Sequence, residues 1–284
     1  MRVIETIAGV REAVRQARGV GQRVGLVPTM GALHAGHETL IGRSVAECDA
    51  TVVSIFVNPI QFNQREDFEK YPRTWERDLE ACESAGVGIV FAPSNEEMYP
   101  RPLLTMVEPG AVAEHLCGRF RQGHFRGVAT VVAKLFHAVE ADRAYFGEKD
   151  AQQLAVIQSM VSDLNMAVEI VPVATVREDD GLAMSSRNER LSTSERRVAP
   201  VLYAGLRAAL ARLEEGEREV RWVREAALEV IEREQLVRLE YLEVVDAVAM
   251  QPVRMVEGPV RVAVAAWLGR VRLIDNVGFV PHGG

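Results

Sequence analysis

The stretch Val24-Gly25-Leu26-Val27-Pro28-Thr29-Met30-Gly31-Ala32-Leu33-His34-Ala35-Gly36-His37 decides how the rest of the chain reads. Val24 to Val27 is a short apolar run, the pattern of a buried parallel strand. Pro28 and Gly31 stop it. The following segment, Glu38 to Ala46, carries Leu40, Ile41 and Val45 at helical spacing. His34 to His37 therefore sits where a strand gives way to a helix, the edge at which open α/β sheets bind ligands. The first N–H groups of such a helix lack internal partners, and its dipole favours negative charge there. Gly36 puts no side chain between an anion and the backbone. His34 and His37, three residues apart, project to the same side of a first turn. Their imidazoles are suited to donate to phosphoryl oxygens as charge grows on them; the plainer alternative is a pair of partly exposed loop histidines. Zinc is not expected, because the spacing is not His-Glu-x-x-His and no third ligand is near.

A chain of 284 residues with 48% hydrophobic content is enough for one large or two moderate domains. No run of about 18 apolar residues suggests a membrane span, and the start, Met1 to Thr6, has no hydrophobic signal segment. Cys48, Cys82 and Cys117 are odd in number and widely spaced, which points to a reducing cytoplasm rather than a disulfide framework. The formal charge of −7 gives no reason to expect nucleic-acid binding.

Outward from the first corner, residues 7–18 read as an amphipathic helix and Val52 to Val57 as a second buried strand. That strand breaks at Asn58-Pro59-Ile60-Gln61-Phe62-Asn63, a loop expected on the same sheet edge. Asn58, Gln61 and Asn63 both donate and accept hydrogen bonds, which suits a small polyhydroxylated acid; ordinary turn chemistry accounts for Asn58 and Asn63 equally well. Gly88 to Phe91 is a third strand. The basic stretch from Gly118 to Gly127 reads as a loop before a helix over 128–139, either closing over anions or lying solvated. Ala144 to Phe146 is a strand followed by Gly147, Glu148, Lys149 and Asp150 and then a helix over 151–163, the geometry of the first corner again. Lys149 adds a point charge for phosphates. Asp150 suits ribose hydroxyls or a helix N-terminus. Gln153, on the first turn, is expected to face Gln61 across the pocket. After a strand over 167–173, Met184-Ser185-Ser186-Arg187 offers two hydroxyls and a guanidinium to a triphosphate.

The pattern then changes. Ser192-x-x-Glu195 is a capping box opening a helix to about Glu215, a second helix covers 219–234, and strands cover 238–246, 260–268 and 271–276, the last two joined at Gly269-Arg270. The expectation is an α/β protein with a Rossmann-like parallel-sheet N-terminal domain over 1–180 and a smaller α+β C-terminal domain over 181–284.

His-x-Gly-His after a first strand resembles the signature of the nucleotidyltransferase and class I aminoacyl-tRNA synthetase superfamily. The wider stretch from Pro28 to His37 is more narrowly similar to the pantoate–β-alanine ligase family. Ser54 to Phe62, Tyr71 to Thr74, Phe146 to Gln153, Gly181 to Asn188 and Arg272 to Asn276 resemble further blocks of that family, in the family's order. One departure is Ala35, where the family often has an acidic residue; its side chain is not needed for the phosphate argument.

The resemblance implies an ATP-dependent ligation. Pantoate carboxylate attacks the α-phosphate of ATP to give pantoyl adenylate and pyrophosphate, and the amine of β-alanine then displaces AMP. It implies that Met30, Gly31, Ala32, Leu33, His34, Ala35, Gly36 and His37 bind ATP, together with Gly147, Glu148, Lys149, Asp150, the backbone at Val176, and Met184, Ser185, Ser186 and Arg187. His37, His34, Lys149 and Arg187 would be catalytic, with His37 the proton donor. Gln61 and Gln153 would hold pantoate, with Gln61 also near β-alanine. Mg2+ would travel on the ATP phosphates. The C-terminal domain would be a lid, and the protein a cytoplasmic homodimer without nucleic-acid or membrane partners. The rivals are another nucleotidyltransferase of the superfamily and a non-catalytic nucleotide-binding protein.

Overall fold

Runs rich in Val, Ile and Ala become six strands of one sheet: β1 (Arg2–Ile4), β2 (Val24–Thr29), β3 (Ala50–Ile55), β4 (Ile89–Phe91), β5 (Arg143–Gly147) and β6 (Glu169–Val173). The structure, a computed structural model, describes residues 1–63 and 68–281. The strand order is β1-β4-β3-β2-β5-β6 and every pairing is parallel. Parallel strands need helical crossovers, which bury both faces of the sheet. Those helices are α1 (Ile7–Gly19), α2 (Ala35–Glu47), α3 (Trp75–Ser84), α4 (His124–Val139) and α5 (Ala151–Asp163). Leu40 and Ile41 of α2 and Cys82 of α3 pack with Val27, Val53, Val90 and Tyr145 of the sheet.

The strand order makes β2 a turning point. From β2 the chain builds outward through β3 and β4 on one side and through β5 and β6 on the other. Connections therefore leave the carboxyl ends of β2 and β5 in opposite directions and open a crevice, the place where such sheets bind ligands. The loop carrying His34 leaves β2 at that point.

A second sheet is antiparallel, with β7 (Val237–Asp246), β8 (Val260–Leu268) and β9 (Val271–Phe279) in that order. Gly269, at φ +55°, turns β8 into β9. Helices α6 (Val201–Glu214) and α7 (Val220–Ile231) cover it, so that Leu202, Leu206, Leu213 and Ile231 meet Val262 and Val264. The α/β class with its Rossmann-like parallel sheet and smaller α+β part is as the sequence reads.

The chain forms two compact units. One comprises Met1–Pro109, Arg121–Glu148 and Val156–Ala174; the other comprises Gly110–Phe120, Lys149–Ala155 and Thr175–Gly284. The sequence suggests one cut at 180/181, whereas these units interleave along the chain. Element boundaries also differ, most at two helices. Ser192 and Glu195 form the expected capping box, but the helix they open ends at Val198 and α6 starts anew after Pro200, because proline has no N–H to continue the ladder. Helix α4 begins at His124 rather than near 128, after Gly123 at φ +77° turns the chain into it. No helix among the described residues is long and apolar enough to cross a membrane.

Candidate active site

The loop after β2 is held from beneath. Thr29 donates through Oγ1 to the Ser54 carbonyl at 2.7 Å and accepts from the Gly31 N–H at 3.2 Å. Gly31 and Ala32 follow with φ of +78° and +51°, a conformation that glycine takes readily and alanine does not. Asp78 of α3 secures it. Its carboxylate is 1% exposed and accepts from the Ala32 N–H at 2.9 Å, the Leu33 N–H at 2.8 Å and the Thr74 hydroxyl at 3.0 Å. A Cβ at Gly31 would stand 2.9 Å from the same carboxylate.

His34 is the N-cap of α2. Its Nδ1 accepts from the Gly36 N–H at 3.1 Å, so the neutral ring carries its proton on Nε2. The His34 carbonyl accepts from the His37 and Glu38 N–H groups at 2.7 and 3.0 Å, and the His34 and His37 rings lie 4.1 Å apart between centroids. Met30, His34, Ala35, Gly36 and His37 are partly open to solvent, while Gly31, Ala32 and Leu33 are buried. The loop thus leaves its imidazoles partly open and anchors itself through residues 31–33, while His34 takes up the N–H groups of Gly36, His37 and Glu38.

Gln61 lies in the short turn Pro59–Gln61 after β3 and is buried. Its Nε2 donates to the Met30 sulfur at 3.0 Å, which ties it to the first loop. Its Oε1 accepts from Asn58 Nδ2 at 3.0 Å. Asn58 is 1% exposed, donates also to the Gly127 carbonyl at 3.1 Å, and accepts from the Tyr99 hydroxyl at 2.7 Å. A carbonyl only accepts, so the Asn58 amide can stand only one way round, and Gln61 must keep its NH2 on the Met30 side. Turn chemistry does not describe Asn58: it sets the polarity of Gln61. Asn63 does serve the loop, donating to the Gln122 carbonyl. Gly127 allows the approach, since a Cβ there would be 2.4 Å from the Ile60 carbonyl oxygen. Within the basic stretch 118–127, His124 to Gly127 are the first turn of α4, and His124 Nδ1 donates to the Gln61 carbonyl at 2.9 Å.

In the other unit, Lys149 sits in the turn Glu148–Asp150, with its Nζ 3.7 Å from Asp150. Gly147 closes β5 just before, and Glu148, Lys149 and Asp150 are all partly open. Gln153 is half-buried on the first turn of α5. Residues 176–184 fold back as a tight hairpin in which the Met184 N–H donates to the Val176 carbonyl at 2.9 Å and Glu178 exchanges hydrogen bonds with Leu182 and Gly181. Arg196 locks its tip, pairing with Glu178 and Asp180 at 2.6 Å each. The Arg196 hydrogen bond holds the Asp180 carboxyl below the usual carboxylate range. After the hairpin, Ser185 Oγ accepts from the Arg187 N–H at 3.2 Å, and Ser186 lies partly open. Lys149, Ser185 and Arg187 line one pocket together with Asn188, Arg272 and Asp275. Arg272 is paired with Glu240, so Lys149 and Arg187 are the cations of this cleft that suit a polyanion.

The sequence alone marks out the histidine corner, Gln61 and the Lys149 and Arg187 turns as candidates. It misses Asp78 and the structural part played by Asn58. The one signal for Asp78 is its spacing of four from Cys82, which puts an acid on the buried face of α3.

A family sequence model described as pantoate-beta-alanine ligase matches residues 2–278. The chain belongs to the pantoate–β-alanine ligase family. Curated relatives include a pantothenate synthetase of Acetivibrio thermocellus, 51% identical over 277 residues that cover 98% of this chain and 99% of the relative. Pantothenate synthetase 1 of Bradyrhizobium diazoefficiens is 52% identical over 281 residues, 98% of each chain. Among solved structures, the Thermus thermophilus pantothenate synthetase superposes with a TM-score of 0.92 at 45% identity, covering 98% of this chain and 99% of the other. The Francisella tularensis pantoate-beta-alanine ligase, complexed with beta-gamma ATP and beta-alanine, superposes with a TM-score of 0.79 at 33% identity, covering 100% of this chain and 99% of that one. These ligases are matched over essentially their whole length, so the likeness takes in both the parallel sheet and the antiparallel one.

Proposed function

We propose that the protein joins (R)-pantoate and β-alanine into pantothenate, consuming ATP and releasing AMP and pyrophosphate. The pinned histidine corner at the end of β2 carries this reading. It presents His34 and His37 at the start of α2, whose dipole favours an α-phosphate, and family membership names the substrates. In the first step a pantoate carboxylate oxygen bonds to the α-phosphorus and the bond to the bridging oxygen of pyrophosphate breaks. Both partners are anions, so neutralising charge is the main task. His37 donates to the growing phosphoryl charge and His34 donates through Nε2. Lys149, Arg187, Ser185 and Ser186 hold the β- and γ-phosphates, with Mg2+ entering on the ATP as part of the substrate. Met30 to Gly36, Gly147, Glu148, Asp150, the Val176 backbone and Met184 complete the nucleotide site. Gln61, with its NH2 kept on the Met30 side by Asn58, and Gln153 hold pantoate. In the second step the β-alanine amine attacks the acyl carbon, AMP leaves with the bonding electrons, and the ammonium proton passes to solvent.

The three free cysteines fit a cytoplasmic setting, and the resemblance to the family supports a homodimer with no nucleic-acid or membrane partner. The unit carrying β7 to β9 acts as the lid. The experiment is to supply MgATP, pantoate and β-alanine and measure AMP and pantothenate. Labelled pyrophosphate should exchange into ATP with pantoate alone. Exchange that needs β-alanine would overturn the two-step order, and a nucleotide retained on the product would favour a nucleotidyltransferase instead.

A further inference from the structure

Asp275 and Asn276 are neighbours in β9, opposite Val264 and Ala263 of β8, and each is only 5% exposed. Burying two polar side chains in an apolar sheet is costly unless both are fully hydrogen-bonded, and here the bonds lead to the two turns that carry cations. Asp275 takes both arms of the Arg177 guanidinium, at 2.6 and 3.0 Å. Arg177 belongs to the hairpin that runs into Met184 to Arg187; it donates to the Gly181 carbonyl at 3.0 Å and lies 3.6 Å over the Tyr203 ring. Asn276 takes the other turn. Its Nδ2 donates to the Lys149 carbonyl at 3.0 Å and its Oδ1 accepts from Arg261 at 2.9 Å. A guanidinium only donates and a carbonyl only accepts, so both ends of this amide are assigned without ambiguity.

We propose that Asp275 and Asn276 are positioning residues that set the spacing of Lys149 and Arg187, and so the preference of the site for a polyphosphate over a monophosphate. The inference rests on the reading of this pocket as the triphosphate site. Two point charges engage one chain of phosphates together only when their separation matches it. Both turns hang from adjacent residues of one strand, so β9 acts as the common ruler. Neither residue needs to touch the nucleotide for this.

The test compares dissociation constants for Mg2+ with a non-hydrolysable ATP analogue, and for AMP, by calorimetry. Asn276→Leu keeps the shape and loses the bond to Lys149. It should weaken the ATP analogue about tenfold, equivalent to about 1.4 kcal/mol, and AMP by less than about twofold. Arg261→Met cuts the amide on its far side and should leave both constants near wild type. Equal losses for the two nucleotides, or none, would overturn the inference, since a merely structural residue does not separate them. Should Asn276→Leu fail to fold, Arg177→Lys tests the Asp275 arm: it keeps the charge, loses the fork and should give the same split, and its absence counts against the ruler. Lys149→Ala with unchanged affinity for the ATP analogue would remove the triphosphate reading itself, a failure distinct from that of β9.

Discussion

Replacing Asp78 by Asn separates the work of the histidine corner from its chemistry. Asp78 touches no substrate in the proposed reaction, yet each of its oxygens accepts one backbone N–H, Oδ2 from Ala32 and Oδ1 from Leu33. An amide has one oxygen. Whichever way it turns, a buried N–H of residue 32 or 33 then faces an NH2 group. A buried donor left unsatisfied costs about 1–3 kcal/mol, against a typical total of about 5–15 kcal/mol, so Asp78→Asn should fold with a lowered denaturation midpoint. The loop it frees has positive φ at Gly31 and Ala32 and relaxes once unpinned, carrying His34 and the start of α2 with it. Misplacing a reacting group by about 1 Å costs on the order of 10²-fold, so pantoate-dependent pyrophosphate exchange should fall by about 10–10²-fold per folded molecule. Thr74→Val, which removes only the hydroxyl bond, should lie between the two. Near-UV circular dichroism establishes the folded fraction and the exchange assay gives the rate. A folded Asp78→Asn protein with the wild-type rate and midpoint would refute the pinning argument.

His37→Ala should lower kcat by about 10²–10³-fold, the usual effect of losing one donor to developing charge, with a smaller change in ATP affinity and little change in stability; a near-normal kcat in a folded variant would show that the histidine is not catalytic. Gln153→Ala should weaken pantoate binding by about 1–3 kcal/mol and ATP binding less, and equal weakening in calorimetry counts against the assignment. Burial raises the Glu240 carboxyl, but hydrogen bonds from Arg272 and Trp267 outweigh it and hold the group below the usual glutamate range. A lowered folded-state value stabilises above the unfolded value, so this contribution is present at neutral pH and disappears as pH falls below about 4.3. Urea midpoints measured from pH 7 to 3 should drop less steeply in Glu240→Gln, and parallel curves would contradict the pairing.

The sheet is legible because each strand is a local pattern: an apolar run stopped by Gly or Pro. The candidate site can be picked out where its residues are close in sequence, as in His34 to His37 or Met184 to Arg187. Contacts between distant segments leave no such trace. Arg177 and Asp275 are far apart in the chain, and nothing beside either residue announces the pair. Asn58 reads as a turn residue because an Asn before a Pro is common in turns; only burial against Gly127 and Tyr99 reveals its other use. The start of α4 escapes the sequence because Arg126 and Gly127 look like loop residues, while Gly123 has already turned the chain.

Gly127 has a consequence for anyone varying this protein. Every other residue brings a Cβ, and that atom lands against the Ile60 carbonyl beside Gln61. A saturation library at position 127 should therefore return glycine almost alone under selection for growth without supplied pantothenate. Alanine, the mildest wedge, would push the turn outward and carry Gln61 with it, so a gene library that spares position 127 loses nothing it could have kept.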